Sequence, residues 1–111
     1  GILSVLIQTY YDAEYLFTVP PEVFIPPPKV HSGVLRLIRK EVQPIGFRFG
    51  HLKTIVKAAF NQRRKTLRNA LRSAGLSLDG IDEATLGLRA EQLSPLDFQD
   101  LARVIQEDQG S

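Results

Sequence analysis

Basic side chains are concentrated in residues 59–72, AFNQRRKTLRNALR. If this stretch is helical, Arg64, Arg68 and Arg72 recur every four residues on one face, while leucines occupy another. Like charges four residues apart destabilise a helix by about 0.2–0.5 kcal/mol per pair, so the row is unfavourable unless an anion neutralises it. A phosphate backbone is the anion that this pattern indicates. The alternative is a solvated face that is balanced by acids elsewhere in the fold.

The net charge of +2 hides a separation of charge along the chain. Residues 1–28 carry three acids and no Lys or Arg, residues 29–72 carry twelve basic side chains against one acid (+11), and residues 73–111 carry eight acids against two basic side chains (−6). A basic centre between acidic ends is typical of a nucleic-acid-binding surface, although part of it could fold against the acidic C-terminal segment. The candidate contacts are Lys53, Lys57, Arg63, Arg64, Lys65, Arg68 and Arg72.

Composition excludes several other classes of function. The chain has 111 residues, of which 43% are hydrophobic, and this suits one globular core. It contains no apolar run of the roughly 18–20 residues that a membrane span needs, and no basic start of a signal peptide, so we expect a cytoplasmic protein without membrane contact. With no cysteine and two isolated histidines, His31 and His51, we expect no metal, no catalytic residue and structural roles for both histidines.

The first 40 residues favour a helix followed by two strands. Closely spaced apolar residues predict a helix at residues 1–8, and β-favouring runs predict strands at residues 13–19 and 34–38. Between the strands, three prolines make residues 24–33 a stiff, extended loop. Phe24 at its head either packs in a core or offers a ring on which a base could stack. A polyproline ligand for a recognition domain is a further alternative, although a loop held between two strands is poorly exposed for that purpose.

After a boundary near residues 41–46, the pattern becomes helical. One apolar face predicts a helix through residues 52–60, which either continues into the arginine row or breaks there with Asn61 as the cap of a second helix. Gly75 is expected to close that second helix, and residues 82–86 to form a short one. Ser94 and Pro95 predict the start of a last helix. Its expected apolar stripe is Leu96, Leu101, Val104 and Ile105. Arg89 and Glu91 are expected to serve in a structural salt bridge, with ligand binding as the alternative.

Three blocks of sequence carry a resemblance to a known family. They are FIPPPKVHS at residues 24–32, FNQRRKTLRN at residues 60–69 and RAEQLS at residues 89–94. In this order they closely resemble the ribosomal RNA adenine dimethyltransferases, which transfer methyl groups from S-adenosylmethionine to the N6 atoms of two adjacent adenines in small-subunit ribosomal RNA. The family's glycine-rich cofactor motif and its Asn-(Leu/Pro)-Pro-Tyr motif do not occur here, so the chain is similar to the C-terminal part of such an enzyme.

The resemblance implies an α+β fold. A helix and two antiparallel strands at residues 1–42 would remain from a Rossmann-like methyltransferase domain, and residues 43–111 would form a small all-α RNA-binding domain. It implies a target-base pocket bordered by Phe24, Pro26, Pro28, Lys29 and Ser32. His31 departs from the acidic or amide residue that is frequent in the family, so a polar contact from this position is not implied.

The implied partners are small-subunit ribosomal RNA and the assembling small ribosomal subunit. We expect the chain alone to bind RNA, to bind no S-adenosylmethionine, to catalyse nothing and to self-associate through its incomplete sheet. Two other classes of function remain open. One is a self-standing helix-turn-helix-like module that binds nucleic acid, and the other is an interaction domain whose basic face meets an acidic protein.

Overall fold

The chain folds into a helix, a long β-hairpin and four further helices, in a computed structural model that describes residues 1–107. Two short 3-10 turns, Pro21–Val23 and Ala90–Gln92, lie in the connections. This mixture of helix and strand agrees with the predicted fold class. The elements in chain order are α1 (Ile2–Tyr10), β1 (Tyr11–Val19), β2 (Ser32–Arg39), α2 (Phe49–Asn61), α3 (Leu67–Ser73), α4 (Glu83–Leu86) and α5 (Pro95–Val104).

The hairpin confirms the two predicted strands and their antiparallel pairing. Tyr11 pairs with Arg39 at one end and Val19 with Ser32 at the other, with a bulge between Tyr15 and Phe17. Nearly every residue of both strands is exposed, including large apolar side chains on both faces of the sheet. Both strands are longer than predicted because backbone pairing continues past the apolar residues that marked them in the sequence. Since β1 begins directly after α1, no linker separates helix from strand.

The hydrophobic core lies among the helices and includes α1. Leu52, Ile55, Leu71 and Phe98 are fully buried within it, and Val5 of α1 belongs to the same cluster with 6% of its surface exposed. The core therefore extends across the boundary that the sequence predicts near residue 42. The division of the chain into folding units at that point stays a prediction.

The basic segment is not one helix, which corrects the arginine row expected from the sequence. α2 ends at Asn61, and α3 begins after Thr66, whose hydroxyl accepts a hydrogen bond from the Asn69 amide at 3.4 Å. Arg64 therefore lies in the turn and does not share a helical face with the arginines of α3. No apolar residue occurs between Phe60 and Leu67, so a continuous helix would gain no packing there.

Other helix ends agree with the sequence. Gly75 has φ of +75° and follows α3 in a Schellman motif, in which the Leu76 amide donates to the Leu71 carbonyl at 3.0 Å. Asp82 precedes the short α4, and Ser94 caps α5 in a reciprocal capping box with Asp97.

The apolar stripe predicted for α5 is partly wrong. Leu96 is 67% exposed and Val104 is also exposed, whereas Phe98, Leu101, Ala102 and Ile105 are buried. These four residues follow the i, i+3, i+4, i+7 spacing, and Leu96 lies outside that face. Among residues 1–107, every helix is too short or too polar to span a bilayer, and no cluster of metal-ligating side chains occurs.

Candidate nucleic-acid interface

The exposed face of α2 carries two of the candidate cations. His51, Leu52, Ile55, Val56 and Ala59 form the buried face, which turns Lys53 and Lys57 to solvent. These lysines are one helical turn apart, and Asn61 follows after one further turn on the same side. The outer face of α2 therefore leads from two lysines into the basic turn.

The basic turn consists of residues 61–65, which connect α2 to α3. The Lys65 amide donates to the Gln62 carbonyl at 2.8 Å and closes the turn, while Arg63, Arg64 and Lys65 remain exposed. The five residues line a depression of about 330 Å³. Three consecutive cations at the edge of an open depression give an anion access from solvent.

Two of the predicted cations are already paired with acids. Arg63 Nη2 lies 3.0 Å from Glu91 Oε1, and the Arg63 guanidinium is 6.0 Å from the centre of the Phe60 ring. Arg68 donates to the Glu83 carboxylate. The structural salt bridge expected for Glu91 is therefore confirmed, with Arg63 as its partner, whereas Arg89 forms no ion pair within residues 1–107.

The other candidate cations have no acidic partner among the described residues. Within residues 1–107, no carboxylate lies within 4 Å of the charged groups of Lys53, Lys57, Arg64, Lys65 or Arg72. Two of these lie in the basic turn, two on α2 and one in the last turn of α3. Within residues 1–107, the acids of the C-terminal segment thus pair with only part of the basic centre.

The candidate base pocket lies at the far end of the hairpin. Phe24 is 40% exposed, Pro28 is partly buried, and Pro26 and Lys29 are exposed, while Ser32 opens β2 opposite Val19. A nine-residue strand spans about 30 Å, so this loop is well separated from the α1 end of the hairpin. Among the described residues, no hydrogen bond or ion pair joins residues 20–31 to the helices.

Both histidines lie outside any reactive cluster of the described part of the chain. His51 is buried, and its Nε2 lies 2.7 Å from the Ile105 carbonyl, a contact that requires the proton on Nε2 because a carbonyl only accepts. This bond supports the structural role expected for His51, and His31 is exposed in the loop. Elsewhere, burial raises the pKa of the Tyr10 phenol.

The acidic partners of Arg63 and Arg68 and the capping hydroxyl of Thr66 were not predicted from the sequence. Glu83 and Glu91 follow their arginine partners by 15 and 28 residues, distances at which spacing gives no signal of contact. Thr66 could have been found, since a Thr that precedes a leucine-containing helical run is a common N-cap.

The fold of the chain is similar to that of a solved structure. A dimethyladenosine transferase from Plasmodium falciparum matches with a TM-score of 0.62 over 96% of this chain and 52% of that chain. The sequences are 16% identical, so this likeness shows the fold alone.

Sequence comparison then shows the family. The family model described as ribosomal RNA adenine dimethylase matches residues 1–107, and the chain belongs to this family. A protein named ribosomal RNA small subunit methyltransferase A is 53% identical over 108 residues in Porphyromonas gingivalis. One of the same name in Cytophaga hutchinsonii is 50% identical over 105 residues. The matches cover 96% and 95% of this chain but only 42% and 41% of those relatives. The resemblance read from the three sequence blocks is confirmed.

Proposed function

We propose that this chain is the rRNA-binding part of an rRNA adenine N6,N6-dimethyltransferase and supplies one side of its target-base pocket. Family membership and the names of the relatives support the reaction class. The RNA-binding role rests mainly on the basic turn, where Arg64 and Lys65 face solvent without an acidic partner in residues 1–107. Their ligand is small-subunit ribosomal RNA, met on the assembling small subunit.

The RNA contact is made mainly with phosphates. Arg64, Lys65 and Arg72 project from a turn and a helix end, and no aromatic side chain interleaves them in sequence. Such cations neutralise backbone charge and carry little sequence information. The contact therefore positions the RNA, and selection of the adenine belongs to the base pocket.

The base pocket is formed at the proline loop. Enzymes that modify a base take it out of its stack and hold it against aromatic or apolar side chains. Phe24 keeps enough exposed ring to take this part, and the prolines restrict the backbone around it. Pro26, Pro28, Lys29 and Ser32 complete the wall that this chain contributes.

The described residues do not fit S-adenosylmethionine. The glycines with positive φ, Gly46, Gly75 and Gly80, lie in separate turns, and residues 1–107 hold no glycine-rich loop that leads into a helix. We therefore place the methyl-donor site outside this chain and expect the chain alone to transfer no methyl group.

The test is the salt dependence of RNA binding. Replacing Arg64, Lys65 and Arg72 together by Gln should weaken binding to an rRNA stem-loop and flatten the slope of log K against log salt by about 2 to 3, because each lost phosphate contact removes roughly 0.7–0.9. Arg36→Gln is the control, since it removes an exposed cation of the hairpin that pairs with Glu14. An unchanged slope in the triple variant would refute the RNA contact.

A helix-turn-helix reader of DNA is the weaker proposal. In that arrangement the second helix enters the major groove, but α3 has only seven residues and offers Arg68 and Arg72, of which Arg68 is paired with Glu83. Competition with duplex DNA in the same assay distinguishes the two, since a DNA reader would prefer the DNA.

A further inference from the structure

Two acids occupy part of the proposed RNA-binding surface. Glu91 lies in the 3-10 turn Ala90–Gln92 and holds Arg63 at 3.0 Å, and Glu83 begins α4 and pairs with Arg68. The two acids come from different elements, but their partners are close in sequence to the unpaired Arg64 and Lys65: Arg63 directly precedes Arg64, and Arg68 follows Lys65 by three residues. These two carboxylates neutralise part of the positive surface charge in the free protein. They would have to move away from the arginines when RNA phosphates bind there.

We propose that Glu83 and Glu91 are built-in competitors of RNA phosphates for Arg68 and Arg63. This inference rests on the proposed RNA-binding function of the basic turn. RNA would first meet Arg64, Lys65 and Arg72, and its phosphates would then replace the two carboxylates on the paired arginines. The two acids thus lower the affinity for polyanions that bind weakly. They also limit the number of basic side chains that an RNA can contact.

The acids are suited to displacement. The Glu83 and Glu91 side chains are 82% and 67% exposed, and exposed ion pairs are weak because water screens them. A phosphate diester in a polynucleotide brings neighbouring charges and releases counterions on binding, which a single carboxylate does not. The exchange of carboxylate for phosphate is therefore favourable for a polyanion.

The backbone that carries the acids is fixed, so the exchange involves side chains alone. Leu86, three residues after Glu83, and Ala90, directly before Glu91, are buried. The Leu67 amide at the start of α3 donates to the Leu88 carbonyl at 2.6 Å and ties the arginine-bearing helix to the segment between the acids. Arg63 also retains the Phe60 ring beneath it when Glu91 is displaced.

The alternative is that the same two acids increase the affinity for RNA. If they orient the arginines for RNA, removing their charge would leave the arginines less ordered and weaken binding. Glu→Gln substitution separates the two cases, because the amide keeps the size of the side chain and one acceptor oxygen but loses the charge.

The experiment measures binding of the 111-residue chain to a synthetic RNA hairpin with a long duplex stem, by fluorescence anisotropy between about 50 and 200 mM salt. Glu91→Gln and Glu83→Gln should each tighten binding roughly two- to fivefold, the range that an exposed ion pair implies, and should steepen the salt slope by up to about 0.9. Asp100→Asn is the matched control, because it makes the same charge change by breaking the pair with Arg103 on α5.

A second variant identifies the partner of the acid. In an Arg63→Gln background, Glu91→Gln should have no effect beyond that of Asp100→Asn, since the cation it competes for is gone. Unchanged or weaker binding of both Glu variants overturns the proposal, and so does an equal gain in the Arg63→Gln background. If the triple variant of Arg64, Lys65 and Arg72 binds RNA like the original chain, the proposed function itself fails.

Discussion

Thr66 determines where the basic segment changes from turn to helix. Its hydroxyl accepts from the Asn69 amide at 3.4 Å, and its neighbour Leu67 donates to Leu88. Thr66→Ala should lower the free energy of unfolding by about 0.5–1 kcal/mol, the low end of the range for N-caps, because the hydrogen bond is long. Urea denaturation measures this.

Thr54 provides the matched control for the cap. Its hydroxyl donates to the Gly50 carbonyl at 2.9 Å on an exposed part of α2, where Ala is the better helix former. Thr54→Ala should leave stability unchanged or slightly raised. Equal stability of the Thr66→Ala variant and the original chain would contradict the capping role.

Phe24 should matter for chemistry more than for RNA affinity. In the proposed dimethyltransferase, Phe24→Ala is expected to lower methyl transfer by the equivalent of about 1–3 kcal/mol, the value of one base–aromatic stack, with a smaller loss of RNA binding. Single-turnover methylation and RNA binding are compared in the same preparation. Ile25→Ala, at a side chain that is 99% exposed, is the neighbouring control. Reduced thermal stability with normal activity per folded molecule would show that Phe24 serves packing.

At the scale of elements, the hairpin is open on both faces. Phe17 and Leu35 are more than half exposed, and each strand has an unpaired edge. Such edges and faces favour pairing with another chain. We expect the 111-residue chain to self-associate through the hairpin, and Phe17→Lys with Leu35→Lys to reduce this. Light scattering across a range of concentrations measures the effect.

The control for self-association is Leu96→Lys, which places a charge at an apolar side chain of α5 that is even more exposed than Phe17 and Leu35. It should leave the mass of the particle unchanged if the hairpin is the contact. A strictly monomeric original chain would show that the two strands are self-sufficient.

Much of the element pattern was predictable, and the exceptions have physical causes. The buried face of α2 and the capping box of α5 depend on residues within four positions of one another, and sequence spacing reports such contacts directly. The end of α2 depends on the missing apolar side chains between Phe60 and Leu67 and on the hydrogen bond to Leu88. The acidic partners of Arg63 and Arg68 lie 28 and 15 residues further along the chain, and the sequence left the end of α2 open, so neither ion pair could be predicted.

At the scale of the whole molecule, α1 is part of the helical core. Val5→Ala should lower the free energy of unfolding of the helices by about 1–3 kcal/mol, because it removes two buried methyl groups and leaves a cavity. Leu3→Ala, at a side chain that is 71% exposed, should have little effect. Denaturation followed by hydrogen exchange in α5 measures both. If Val5→Ala left the free energy of unfolding unchanged, the helices after residue 42 would be stable on their own.

If the helical core and the hairpin move as one body, the direct passage from α1 into β1 makes the molecule a spacer of fixed length. α1 is packed in the helical core, and Tyr11 continues the chain into the hairpin without an intervening residue. In that case the proline loop and the basic turn are held at one distance from each other. If the turn also binds RNA phosphates, the length of this spacer determines which nucleotide reaches the loop. Methylation of particular adenines would then depend on a measured distance as well as on the shape of a pocket.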